Sequence, residues 1–151
     1  MLVQPVSARA AVGVIVADND MVIRGILRSI LIGVGQEVHL AVSGEEAVAI
    51  ASRMQARLVL LDLDMPKLNG LLACERLRAL AGYASTPIVI LTAYDGEDAR
   101  RDAARAGATL FLVKPFQPAA LLASLSPYLD IDTGTREAVT RAARRTRQIA
   151  I

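Results

Sequence analysis

Residues 58–70 read Leu58-Val59-Leu60-Leu61-Asp62-Leu63-Asp64-Met65-Pro66-Lys67-Leu68-Asn69-Gly70. Four apolar residues, one β-branched, are too few for a helix and read as a strand buried on both faces. The strand ends on two acids one residue apart and then meets a Pro/Asn/Gly turn. A strand with no polar alternation belongs in the middle of a parallel sheet covered on both sides.

The same grammar recurs on either side. Val12 to Ala17 is a first strand, followed by Ile23, Ile26, Leu27, Ile30 and Leu31 at helical spacing up to Gly33 and Gly35. Glu37 to Val42 is a second, more mixed strand. Ser43 caps a helix through Met54, with Glu46 three residues on as its capping-box partner. After the third strand come a helix from Leu71 to Leu80, a strand from Pro87 to Leu91 and a charged helix over residues 96–106. Leu110 to Val113 is a fifth strand, and Pro118 to Leu129 a fifth helix. Five strand–helix units predict an α/β protein with helices on both faces of a parallel sheet. The chain divides into an extension at 1–10, a domain at 11–129 and a second extension at 130–151.

Composition removes several classes of protein. The chain has 151 residues, of which 54% are hydrophobic and 21% charged, which excludes global disorder. One cysteine, Cys74, excludes a disulfide framework and a cysteine zinc site, and one histidine, His39, argues against a histidine-based metal or nucleophile site. Cys74, Met54 and Met65 read as packing residues, and His39 as a structural one. No apolar run approaches the roughly 20 residues of a spanning helix. The first residues lack a basic start and a cleavage site, so the expected compartment is the cytoplasm. Arg100, Arg101 and Arg105 lie among Asp95, Glu97, Asp98 and Asp102, as expected of a solvated helix face.

In a doubly wound sheet the ligand site lies outside the carboxyl ends of the strands. Asp18, Asn19 and Asp20 follow the first strand, Asp62 and Asp64 the third, Thr92 and Ala93 the fourth, and Lys114 the fifth. Taken singly, such acids are solvated helix caps, and Asp20 reads as one. Together they form a chemical set. Asp18, Asp62 and the amide oxygen of Asn19 are the hard oxygens that Mg2+ takes, and a carboxylate beside that ion can attack a phosphoryl group. Lys114 supplies a point charge and Thr92 a hydroxyl to phosphoryl oxygens.

These residues resemble the receiver domains of bacterial response regulators, the CheY-like family. The resemblance rests on Val16 to Asp20, Leu60 to Gly70, Leu91-Thr92-Ala93 and Val113-Lys114-Pro115-Phe116. It implies a flavodoxin-like fold with strand order 2-1-3-4-5, and phosphorylation of Asp62 by a histidine kinase or phosphotransfer protein. It implies Mg2+ held by Asp18, Asn19, Asp62 and the carbonyl of Asp64, a phosphoryl group read by Thr92 and Lys114, and a cis Lys114–Pro115 peptide. Phe111 stands where the family has its aromatic switch. The protein is then a phosphoacceptor rather than an enzyme, with self-dephosphorylation its only catalysis. Asn19 departs from the family's second acid and removes one charge from the site. Asp62-Leu63-Asp64 also resembles the Asp-x-Asp of haloacid-dehalogenase phosphatases. There, however, the pair follows the first strand and precedes Gly-Thr or Gly-Val.

Residues 130–151 carry five arginines, no lysine and three acids, and so hold the whole net charge of +2. The segment is too short for a DNA-binding domain, which predicts a stand-alone receiver with an extension. Asp130 to Gly134 reads as a linker and Thr135 as the cap of a helix from Arg136. At 100° per residue, Arg136, Arg141, Arg144, Arg145 and Arg147 fall on one half, with Ala138, Val139, Ala142, Ala143, Ile149 and Ala150 opposite. The segment is an amphipathic helix, or a disordered tail that becomes one on binding. Arginine pairs with phosphate bidentately and stacks on rings. An arginine-rich extension on a receiver is similar to the CheY-like cyclic-di-GMP effectors of flagellar motors. That likeness implies the dinucleotide bound by the five arginines and a motor component downstream. The competing expectation is a passive receiver scaffold whose tail alone binds an anionic partner.

Overall fold

A computed structural model describes residues 11–149. The expected extension at 1–10 lies outside the described residues. Five parallel strands form one sheet: β1 (Val14–Ala17), β2 (Val38–Ala41), β3 (Leu58–Asp62), β4 (Ile88–Thr92) and β5 (Leu110–Val113), in the order β2-β1-β3-β4-β5. The helices between them are α1 (Met21–Ile32), α2 (Gly44–Arg53), α3 (Gly70–Ala79) and α4 (Glu97–Ala106). After β5 come α5 (Pro118–Leu125), a single 3-10 turn (Ser126–Tyr128) and α6 (Thr133–Ile149). This is the flavodoxin-like arrangement that the family resemblance implies.

Residue alternation divides the core into two layers. Ile15, Ala17, Val59, Leu61, Ile88 and Ile90 face the sheet side covered by α2, α3 and α4, meeting Ala47, Ala51, Ala73, Cys74, Leu77, Ala103 and Ala106. Val14, Val16, Leu58, Leu60, Val89 and Leu91 face the other side, where Leu27, Leu31, Leu121 and Leu125 come from α1 and α5. Both parities are apolar because β1, β3 and β4 are buried on both faces. β2 and β5 are the sheet edges and only half-buried, which explains the mixed composition of β2.

Local chemistry fixes the helix starts. Asp20 accepts from the N–H groups of Val22 and Ile23 at 2.8 and 3.2 Å, and Ser43 accepts from that of Glu46 at 3.1 Å. Asn69 likewise accepts from the N–H of Leu72 at 3.0 Å. Gly70 is required by a close approach. A Cβ there would lie 2.5 Å from the Asp62 carbonyl oxygen, which belongs to the strand end that carries the site. Gly70→Ala is expected to destabilise the fold by about 2 kcal/mol, read by urea unfolding, because the obstacle is backbone that must move.

Residues after Leu129 correct the sequence reading in two respects, the helix start and its apolar face. The linker is shorter than expected, since α6 begins at Thr133 and Asp132, not Thr135, caps it by accepting from the Thr135 N–H at 2.6 Å. Of the two expected forms the segment takes the helical one, seated on α5 with Val139 and Ala143 buried. Of the expected apolar residues Ala138 and Ala142 are instead exposed, and the side chains of Ile149 and Ala150 lie outside the described residues. Arg136 precedes Val139 by three residues and Ala143 by seven, so it shares their stripe. Its guanidinium donates to the carbonyls of Ser126 and Leu129, backbone acceptors past the end of α5. The root of α6 is also tied to the connection between α1 and β2, as Gln36 donates to the Asp130 carbonyl at 2.9 Å.

Candidate functional site

Asp18 leaves the end of β1, Asp62 and Thr92 are the last residues of β3 and β4, and Lys114 follows β5. Because β1, β3, β4 and β5 are consecutive neighbours in register, their carboxyl ends form one shelf. Asp18, Asp62 and Thr92 are 1%, 5% and 0% exposed. The Lys114 ammonium spans the two acids, with Nζ 2.9 Å from Asp18 Oδ2 and 3.2 Å from Asp62 Oδ1. Two carboxylates taken from water beside one cation leave a local excess of one negative charge.

Electrostatics follow from that count. Burial, and then the neighbouring Asp18 charge, push the Asp62 carboxyl above the ordinary aspartate range against the opposing pull of Lys114. Burial works against the charge of Lys114, but the bonds and charges of Asp18 and Asp62 outweigh it and hold its pKa above the usual lysine value. Lys114 therefore stays cationic throughout the physiological range. The second oxygen of Asp18 is also engaged, accepting from the N–H of Asp20 at 2.9 Å, and Asp62 Oδ1 accepts from the N–H of Asp64 at 3.3 Å.

Of the expected metal ligands, Asp18 and Asp62 converge, whereas the side chains of Asn19 and Asp64 are exposed at the rim. Among the described residues no three acidic, histidine or cysteine side chains cluster as a metal site. Mg2+ retains several waters, so two carboxylates supplemented by an amide or carbonyl oxygen form a chemically suitable donor set. Thr92 accepts the N–H of Tyr94 at 3.1 Å, leaving its own hydroxyl proton available. Phe111 lies on β5, half-buried against the α2–α4 side of the core. The Lys114–Pro115 peptide is cis, as expected.

The five arginines of the extension have different surroundings. Arg136 points into the α5 terminus, Arg141, Arg144 and Arg145 are exposed on α6, and the Arg147 side chain lies outside the described residues. The remaining minor expectations stand. Cys74 is fully buried, and burial pushes its thiol up to about 11, so it is not a reactive thiolate. Arg100 pairs with Asp95 and Arg101 with Asp98 on the solvated side of α4. His39 bonds Glu37 at 3.0 Å on the edge strand β2.

Three features escaped the sequence reading. Arg24, one turn into α1, donates to the Asp18 carbonyl at 2.6 Å and braces the loop after β1. Its position six residues beyond Asp18 is the only sequence cue. Lys67 adopts φ 67°, a left-handed conformation in the turn after Asp64 that no residue type there signals. Beside Lys114 an apolar groove of about 440 Å³ is lined by Ile23, Ile26, Ala93, Pro115, Phe116 and Pro118. Met21, Val22 and Tyr94, on the loops and first turn around the site, are 75%, 64% and 65% exposed.

Comparison with known proteins agrees with this geometry. The sequence profile of the Response regulator receiver domain family matches residues 14–126. The chain belongs to that family, whose members are phosphoacceptor signalling domains. It is 39% identical over 116 residues to the probable transcriptional regulator ycf27 of Porphyridium aerugineum, covering 77% of this chain and 47% of the relative. It is 37% identical over 118 residues to the response regulator MprA of Mycobacterium sp. (strain KMS), covering 78% and 50%. The chain thus spans about half the length of these curated relatives. Among solved structures, chemotaxis protein CheY4 of Vibrio cholerae superposes with a TM-score of 0.76 at 32% identity, covering 80% of this chain and all of that one. The receiver domain of sensor histidine kinase PA1611 from Pseudomonas aeruginosa superposes with a TM-score of 0.72 at 28% identity, covering 79% and 98%, and has a magnesium ion coordinated in its active-site cleft. No helix among the described residues is long and apolar enough to cross a membrane.

Proposed function

We propose that this receiver is a switch in which Asp62 accepts a phosphoryl group from a histidine kinase or phosphotransfer protein. The observation that carries the reading is the Lys114 ammonium bridging the buried carboxylates of Asp18 and Asp62, with Thr92 ending the adjacent strand. An Asp62 oxygen attacks phosphorus, the bond from phosphorus to the donor nitrogen breaks, and an acyl phosphate forms. Lys114 is placed to follow the negative charge from Asp62 onto a phosphoryl oxygen, while the free hydroxyl proton of Thr92 is donated to another. Asp18, Asp62, Asn19 and the Asp64 carbonyl would hold Mg2+, which screens repulsion between the carboxylate and the incoming phosphoryl group. The apolar groove beside Lys114, with exposed Met21 and Val22, suits docking of a partner that carries the phosphohistidine. Thr92 and Phe111 would convey the modification to the α4–β5–α5 face.

The test is labelling by a small-molecule phosphodonor, wild type against Asp62→Asn. Absence of label on the wild type would favour a passive scaffold instead. Asn19 gives a second measurement. Asn19→Asp restores a carboxylate at the rim and is expected to tighten Mg2+ roughly tenfold, measured by calorimetry without phosphodonor.

A second input through α6 is supported by a groove of about 350 Å³ lined by Arg136, Glu137, Thr140, Arg141 and Arg144. Arg141, Arg144 and Arg145 are exposed and face no carboxylate within ion-pair distance among the described residues. The ligand class is a cyclic dinucleotide such as cyclic-di-GMP, with a flagellar motor component as the downstream partner. Titration calorimetry against a triple Arg141→Ala, Arg144→Ala, Arg145→Ala variant decides it. Heat from wild type alone supports this input, and no heat from either removes it.

A further inference from the structure

α4 starts without the side-chain cap that α1, α2 and α3 possess. Its N-cap is Gly96, and the acid just before it, Asp95, does not bond the helix N-terminus. The Asp95 carboxylate instead holds Arg100, accepting from Nε at 3.0 Å and lying 2.9 Å from Nη2 through the same oxygen. The guanidinium so fixed sits over the ring of Phe111, with Cζ 4.9 Å from its centroid. A cation over an aromatic face attracts the ring, and a planar guanidinium also shields that face from water. Phe111 is thus held between the α2–α4 side of the core beneath it and Arg100 above.

The same loop begins at the site. Thr92 Oγ1 accepts the N–H of Tyr94, the residue before Asp95. Any movement of the Thr92 hydroxyl toward Asp62 breaks that bond and frees the loop between β4 and α4. The path from Thr92 to Phe111 is therefore Tyr94 backbone, Asp95 carboxylate, Arg100 guanidinium and ring. Tyr94, Asp95 and Gly96 are all exposed, so little packing resists the motion.

We propose that Asp95 and Arg100 form a latch on Phe111, which keeps the ring seated until phosphorylation of Asp62 draws Thr92 away and releases the Asp95 loop. Arg100 is a positioning residue: it acts through the Phe111 ring that it covers. The proposal rests on the phosphoacceptor reading of Asp62. It adds that the resting state is set by an ion pair which either partner's loss opens. An exposed ion pair and an exposed cation–π contact together shift a two-state equilibrium by roughly 3- to 10-fold.

The experiment follows the Phe111 ring resonances by NMR in the full chain, with and without phosphodonor and Mg2+, for wild type, Asp95→Asn, Arg100→Gln and the double variant. Label incorporation on Asp62 and the urea midpoint are measured on the same samples. In the unphosphorylated state each single variant is expected to move the Phe111 signals part of the way toward the wild-type phosphorylated position. The double variant should move them no further than Arg100→Gln does, and all four should converge once phosphorylated. Unmoved Phe111 signals, additive displacements, or displacement in another direction while Asp62 takes label would overturn the latch and leave the phosphoacceptor reading intact. No label on wild type would overturn that reading, and with it the coupling to Thr92. A fall in urea midpoint with no displacement would show that the pair is structural only, which also overturns the latch.

Discussion

Asp62→Asn abolishes incorporation of phosphate from a small-molecule phosphodonor, a loss of the entire signal and not a fractional one. The amide has the shape of the carboxylate but offers no anionic oxygen, and Asp18, the other acid bonded to Lys114, is a poor substitute. Its Oδ1 accepts the Asp20 N–H and its Oδ2 is held by Lys114. Base-labile, hydroxylamine-sensitive radiolabel on the isolated protein gives the measurement, and retained label at Asp18 would refute the assignment. The same variant has a stability signature. Burial and Asp18 raise the Asp62 pKa on folding, so the folded state keeps this proton to higher pH than the unfolded chain does. The stabilisation from that proton is complete below the unfolded aspartate value and is lost as pH rises through the higher folded value. Metal-free Asp62→Asn is therefore expected to match wild type in acid and to be more stable near neutrality, as read by urea unfolding at the two pH values. Greater stability of wild type at neutral pH would contradict the repulsion between Asp18 and Asp62.

Arg78→Met lowers stability by about 3 kcal/mol, roughly 6–12 °C in thermal midpoint for a domain of this size. Methionine keeps the aliphatic stem but leaves several backbone acceptors without a donor. The guanidinium donates to the Gly107 carbonyl twice, at 2.9 and 2.7 Å, to the Tyr83 carbonyl at 2.8 Å, and to the Thr86 carbonyl. A longer contact of 3.3 Å reaches the Thr109 hydroxyl, which in turn accepts the N–H of Ile88. One side chain thus joins α3 to the loop before β4 and to the C-terminus of α4. Loss below 1 kcal/mol would mean that water replaces these bonds freely. Phosphate labelling is expected to survive in the variant, because Arg78 lies at the opposite end of the strands from Asp62.

How much of this was legible depends on the range of the interaction involved. β1, β3 and β4 were readable because strands covered on both faces must be apolar at every position, whereas the place of β2 at the sheet edge came from the family resemblance. Asp20 and Ser43 are caps whose acceptors bond N–H groups two or three residues away, so spacing alone reveals them. The α6 reading failed in detail for the opposite reason. A helical wheel sorts residues by polarity, but Arg136 lies on the buried stripe because its guanidinium finds backbone carbonyls at Ser126 and Leu129. Nothing in the composition of the segment signals those acceptors. Arg78 and the Arg100–Phe111 contact are alike in this, for each joins residues that meet only after the helices pack.

By itself the sequence determined the alternation of strand and helix, the two-sided burial of the central strands, and which chemical groups stand at each strand end, because all of these depend on neighbours along the chain. Tertiary structure alone decided that Lys114 reaches across to Asp18 and Asp62, 96 and 52 residues away, and that Arg136 serves α5 while Arg141, Arg144 and Arg145 face water. Those outcomes depend on the order in which parallel strands lie beside one another and on the seating of one helix against another. Electrostatic and hydrogen-bond energies follow distance in space, which separation along the chain does not fix.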